Sequence, residues 1–537
     1  MRSMPALLAL IGLAGCGDDG GTAGDGGPDE GEVETGTDAD AGADADADAD
    51  AADDGDIGAD ADADADGETD DDVPVEGDGE EFEDAAPPGL AIRRPAEGDL
   101  VLETAVVDLD PGPLAADTLE VWVEGESEPR CVRTEPPWRC LVHLDPRARG
   151  TTSIHAVARS GGAEVDRATV GLVKEPEFTE ECATDSLACV RDLVAAGSAA
   201  GWEGVVYENM DGLHANLDTS GYPGVTRIEN TDSFSGPHPG FRPQDLDPTT
   251  VLLGNASVAQ TSPCCLSVPR RQLSLTTISD RFRGNKLWWY PEHRDHGYED
   301  YYWFSTVTVG ISQGSSGSEI DELRSLMLAL GALPPAARAA LQEAGQVWSA
   351  LQYVSRRTRM AGDAAYLTAQ AHPNALADGG NLVSMMQMAR AFAADRLPPA
   401  ARVEVLDEDF AASERRLTTP ESVARVWTDT TATEHRLRVS AAPSVDLTGR
   451  ALTYHWFVLR AAEWIDVVPE DADGSVVALT IRRHPEETLE LNGQPRRTSL
   501  GVVALFVHDG LYFSPPAFVT SFTADPYRLA PNENNLD

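Results

Sequence analysis

The chain has 537 residues, with 91 Asp and Glu against 40 Lys and Arg, for a formal net charge of −51. That sign repels phosphate and argues against nucleic acid as a partner, and no polybasic segment offers attraction to anionic lipid. The length is enough for several domains, and no stretch beyond the first residues has the roughly eighteen apolar positions of a membrane span.

The first element is a leader. One positive charge at Arg2 precedes the apolar run Ala6 to Leu13, which is too short to span a bilayer. This is the layout of a secretory signal peptide over 1–15. Leu13-Ala14-Gly15-Cys16 is similar to the lipobox of bacterial lipoproteins. The resemblance implies cleavage before Cys16 and a diacylglyceryl group on its thiol, making lipid the membrane anchor. Gly17, rather than Asp, at the second mature position implies the outer membrane, by similarity to enterobacterial sorting.

Cysteine usage agrees with export. Seven cysteines is an odd number, and setting Cys16 aside leaves six in three local pairs. Short loops favour Cys131–Cys140 and Cys182–Cys189 as disulfides, with the first clipping a hairpin around Glu135-Pro-Pro-Trp138. A disulfide within the vicinal pair Cys264–Cys265 would be strained; reduced thiols, a metal or bridges elsewhere stay open for it. The spacings do not fit a C-x2-C zinc site.

Residues 16–87 are expected to be a disordered acidic linker. From 17 to 87 the chain carries about thirty Asp and Glu and no Lys or Arg, in a Gly/Ala/Asp background. Few apolar side chains and a single sign of charge prevent collapse. Asp62-Ala-Asp64-Ala-Asp66-Gly67 begins like an EF-hand loop, but the twelfth position is Val73 and not Glu, so only weak, diffuse cation binding is expected.

Residues 88–175 read as all-β. Leu119 to Glu124 and Ser153 to Arg159 alternate with period two, and Gly161-Gly162 separates the latter from a run over Val165 to Val173. The segment resembles bacterial immunoglobulin-like sandwiches, which implies a spacer or adhesive unit. Residues 182–400 are expected to form a central α/β or α+β domain. Helical periodicity runs over Leu187–Ala199, Glu319–Leu330, Pro335–Arg356 and Asn381–Ala394. Between them lie buried-strand candidates at Gly204–Tyr207, Thr250–Leu253, Leu287–Tyr290 and Thr306–Val309. The Gly-, Pro- and Asn-rich stretch from Asp218 to Pro248 shows little helix, so a mixed sheet stays open. Residues 401–526 return to β, and Asp446 to Trp456 resembles the turn and strand of PKD-like sandwiches. A tail follows over 527–537.

Chemistry concentrates in the central domain, which resembles no characterised family. Each of its four apolar runs ends in polar residues: Glu208 with Asp211 and His214, then Asn255, then His293-Arg-Asp295-His296, then Ser312 with Gly314, Ser315 and Ser316. Ligands bind beyond the carboxyl ends of strands in open α/β sheets. Gly310-Ile-Ser312-Gln-Gly314 fits G-x-S-x-G, which makes Ser312 a nucleophile candidate, with Asp363 and His372 as its partners in an α/β-hydrolase order. Glu208, Asn255, Gly314, Ser315 and Ser316 are the ligand-binding candidates. His293 and His296, three apart and near Asp211, His214 and Asp295, suit either acid–base work or a divalent metal. The bland alternatives are solvated loops, a capping box near Ser316 or Ser318, and core packing for Trp288, Trp289 and their aromatic neighbours.

The expectation is an exported, lipid-anchored protein whose central domain binds and hydrolyses an extracellular small molecule or polymer. The alternative is a non-catalytic surface lipoprotein for adhesion or glycan capture. No partner other than membrane lipid and an extracellular ligand is expected.

Overall fold

Period-two alternation becomes two separate β-sandwiches. The computed structural model describes residues 89–178, 192, 204–209, 219, 225–230, 251–255, 275–291, 305–312, 318–360, 362–373, 381–429, 431–491 and 494–523. Cys16 and the segments expected to be leader, linker and tail lie outside them.

The first sandwich is built from β1 (Ala91–Arg94), β2 (Leu100–Val101), β3 (Thr104–Asp110), β4 (Thr118–Val123), β5 (Cys131–Arg133), β6 (Arg139–His143), β7 (Gly150–Ser160) and β8 (Ala163–Lys174). One sheet runs β1-β3-β6 and the other β2-β8-β7-β4-β5. Alternate residues of β4 (Leu119, Val121, Val123) are buried against Val107, Val142 and Ile154, as the strand period requires. Cys131 and Cys140 are bonded. The bridge does not clip a hairpin as expected. Cys131 is in β5 of one sheet and Cys140 in β6 of the other, so the disulfide ties the two layers together. Closing so short a loop stabilises by about 2–3 kcal/mol in the chain-entropy account.

The second sandwich follows the same logic. Its outer sheet is β14 (Glu404–Glu408), β17 (Glu434–Ser440), β20 (Val476–Arg482) and β19 (Ile465–Pro469), in that order. Its inner sheet runs β15 (Arg415–Thr418), β16 (Ser422–Trp427), β24 (Ala517–Thr523), β23 (Gly501–His508) and β18 (Thr453–Arg460). β21 (Glu487–Leu491) and β22 (Gln494–Thr498) form a separate hairpin. β23 is buried along its whole length. Val503, Leu505 and Val507 face the sandwich core, and Val502, Ala504 and Phe506 join a second core on the opposite face. A continuous apolar run is what a strand covered on both sides requires.

That second core is shared with a helical layer: α1 (Leu275–Arg283), α2 (Ser318–Ala332), α3 (Pro335–Glu343), α4 (Val347–Thr358), α5 (Asp363–Tyr366) and α6 (Leu382–Ala391). The helix expected over 335–356 is two helices. Gly345 breaks it with φ +65°, and a Cβ there would sit 1.8 Å from the Arg283 carbonyl oxygen.

Between the sandwiches in the sequence lies a five-stranded sheet. It contains β9 (Gly204–Asn209), β10 (Val225–Asn230), β11 (Leu252–Asn255), β12 (Lys286–Pro291) and β13 (Val309–Ser312), in spatial order β10-β9-β11-β12-β13. All four pairings are parallel. A mixed sheet is therefore replaced by a purely parallel one, with an unexpected strand, β10, inside the Gly/Pro-rich stretch. Its order is the doubly wound 2-1-3-4-5 arrangement.

Candidate functional site

The parallel sheet brings four of the expected polar strand ends to one edge. β9 ends at Glu208-Asn209 and β11 at Asn255, with Glu208 and Asn255 in register as neighbours. β12 ends at Pro291, in register with Ser312, the last residue of β13. The chain leaves all four strands at this carboxyl edge. Winding reverses between β9 and β11, because β9 has β10 on one side and β11 on the other. This is the topological switch point, where ligands of open parallel sheets bind. Glu208, one residue before the end of β9, and Asn255, the last of β11, stand in register on the two strands flanking it.

Two cross-strand pairs set the spacing at this edge. Trp288 lies in register with Gly254, and Trp289 with Gly310. Successive residues of a strand point to opposite faces, so the two indoles cover the two faces of the sheet. A Cβ at Gly254 would lie 2.5 Å from the Trp288 ring, and one at Gly310 only 1.8 Å from the Trp289 ring. Both tryptophans are buried, so they are core residues and not a sugar-stacking platform. Gly310, the first glycine of the G-x-S-x-G match, thus has a packing reason to be glycine. That signal was present in the sequence as two adjacent tryptophans facing two strand glycines, but only the register reveals it.

Asp211, His214, His293, Asp295, His296, Gly314, Ser315 and Ser316 lie outside the described residues, as do Cys182, Cys189, Cys264 and Cys265. Among the described residues no group of three or more His, Cys, Asp and Glu is placed to hold a metal ion. The partners suggested for Ser312 are engaged elsewhere. Nε2 of His372 donates to the Tyr366 carbonyl at 2.6 Å, inside a ring cluster with Tyr366, Phe506 and Phe518. Burial there, with Arg356 nearby, holds its pKa well below the ordinary histidine value. Asp363 accepts from Thr104 at 2.6 Å and from Arg357 at 3.1 Å. The two do not form an acid–histidine pair.

A shallow recess, open to solvent, lies at the other end of the sheet. It is lined by Phe282, Arg283, Gly345, Arg402 and Glu421. Arg283 donates to Glu421 at 2.7 Å and Ser279 also donates to that carboxylate, so the acid of the recess is already engaged. The carboxyl edge carries the better claim on chemistry.

No family model matches the chain, and no curated protein matches it. Among solved structures, the fibronectin(III)-like modules of Clostridium thermocellum CbhA match 16% of this chain and 93% of theirs, at 14% identity and a TM-score of 0.14. The chain is a multidomain, mostly β-sheet protein with several sheets and few helices, and this fibronectin-III-like neighbour is a weak one. No described helix is long and apolar enough to cross a membrane.

Proposed function

We propose that the chain is an exported lipoprotein, anchored through Cys16 in the outer membrane, whose parallel-sheet unit binds and hydrolyses an extracellular substrate. One observation carries the reading: the switch point of a 2-1-3-4-5 parallel sheet is flanked by Glu208 and Asn255, with Ser312 ending a strand on the same edge. Glu208 and Asn255 orient the substrate. Ser312 is the nucleophile, and the segment carrying His293, Asp295 and His296 leaves β12 at that edge to supply the acid–base group. Asp211 and His214 follow β9 in the same way. The two sandwiches, immunoglobulin-like and PKD-like in this reading, serve as spacers along the acidic tether.

Incubating the purified full chain with a fluorophosphonate probe tests the chemistry. Labelling is expected, and Ser312→Ala should abolish it while Glu208→Gln weakens it several-fold. Labelling that survives Ser312→Ala removes the serine from the mechanism. If the unsubstituted protein stays unlabelled yet is retained on a glycan column, the hydrolytic reading gives way to capture without turnover.

A further inference from the structure

The first sandwich meets the helical layer through a cluster of buried charge. Three carboxylates converge on the single guanidinium of Arg357: Glu103 from the β2–β3 turn, Glu177 from the segment after β8, and Asp363 from α5. All four side chains are 5–6% exposed. Arg357 Nη2 donates to Glu103 Oε2 and lies 2.9 Å from Glu177 Oε2, while Nε donates to Asp363 at 3.1 Å. The Asp363 amide donates to Glu103 Oε1 at 2.7 Å, and Tyr353 donates its hydroxyl proton to Glu177.

Other charged and titratable groups face the cluster from every side. Lys174 at the end of β8 interacts with Glu103, Glu177, Asp363 and Asp145, but its Nζ is turned to the carbonyls of Ala148 and Glu175. His143 of β6 is linked through Thr104 to Asp363, and His508 of β23 lies in the field of both His143 and Asp363. Arg356 and Tyr366 stand behind from α4 and α5, and Tyr512 faces Glu177.

Three negative charges thus share one guanidinium and one distant ammonium. Uncompensated charge in so dry a place is expensive, and the group neutralises instead. We propose that this junction is a proton-operated latch, which docks the first sandwich on the helical layer while the three carboxyls retain one proton between them and loosens when that proton leaves.

Burial, reinforced by Asp363, pushes Glu103 up to about 7 from an ordinary 4.5. Between those values the folded state holds a proton that the unfolded chain has lost. The stability from this group is complete below the unfolded value and disappears as pH rises through the folded one. His508 sets the opposite limb. Burial depresses it from 6.5 to about 4, so its contribution is present above 6.5 and lost as pH falls towards 4.

Hydrogen exchange on the full chain tests the latch, with each rate divided by the intrinsic rate at that pH. Protection of segments 100–110 and 353–366 should fall on the order of tenfold or more between about pH 6 and about pH 9. In Glu103→Gln, which carries a neutral amide at every pH, that alkaline fall should shrink while the acid limb from His508 stays. An alkaline fall of equal size in the wild type, Glu103→Gln and Glu177→Gln overturns the proposal, and so does flat protection in the wild type. A second measurement needs no variant: glutamate-labelled infrared spectra should show a protonated-carboxyl band near neutral pH that is gone in alkali. Its absence near neutral pH also overturns the proposal.

Discussion

Arg357→Met is expected to destabilise the protein by about 3–5 kcal/mol, the usual result of removing one partner from a buried ion pair. The arginine leaves behind Glu103, Glu177 and Asp363, each almost free of solvent and stripped of its main counter-charge. Methionine fills much of the same volume, so the loss reports charge and not a cavity. Denaturant titration at neutral pH, following the earliest cooperative transition, measures it. The sign with pH separates this from simple packing damage. In acid Glu103 and Glu177, whose carboxyls burial pushes up, gain protons, the missing guanidinium matters less, and the gap between variant and wild type should narrow. Adding Glu103→Gln to Arg357→Met should recover part of the loss at neutral pH. A loss under about 1 kcal/mol would mean that the carboxyls were already neutral without the arginine, and a larger loss unchanged by pH would mean packing damage.

Nothing local in the sequence announces this cluster. Glu103 and Arg357 are 254 positions apart, and each is one charged residue among many. The same asymmetry runs through the fold. Leu119 to Glu124, Leu452 to Val458 and Gly501 to Val507 read directly as strands, because alternation or an unbroken apolar run follows from which faces are covered. Strand β10 escaped because Val225–Asn230 is short, mostly polar and set among glycines and prolines. Helix α1 escaped because Leu275-Thr-Thr-Ile-Ser-Asp-Arg-Phe-Arg283 is short and mostly polar, with Ile278 and Phe282, at i and i+4, as its buried anchors among the described side chains. The break at Gly345 was invisible because flanking periodicity continues through it, and only the approach of the Arg283 carbonyl requires a glycine there. At the candidate site, Glu208, Asn255 and Ser312 were legible as polar ends of apolar runs. Their neighbourhood was not, because strand order depends on crossovers with no periodic signature between Asp218 and Pro248.

The cross-strand pair Trp289–Gly310 links that order to the edge where Ser312 stands. The pair is in register and the indole is fully buried, so it cannot yield to a new methyl group. Gly310→Ala is therefore expected to cost about 3 kcal/mol, at the upper end for overpacking. Trp289→Ala should cost about 3–5 kcal/mol through the cavity it opens. The informative variant combines them. With the indole gone, the alanine methyl enters free space, so the double variant should be no less stable than Trp289→Ala alone. That is a coupling of about 2–3 kcal/mol, within the range for residues in contact. Additive losses would mean that β12 and β13 do not pair in this register. Ser312 is two residues beyond Gly310 on the same strand, so the pair also bears on reactivity. Gly310→Ala should reduce fluorophosphonate labelling even under conditions where the protein stays folded, since forcing β13 away from β12 displaces its terminal residue. Gly254→Ala, which strains the other face through Trp288, should move Asn255 and leave labelling of Ser312 closer to wild type. Equal loss of labelling in both would assign the effect to general unfolding of the sheet and not to the placement of one strand end.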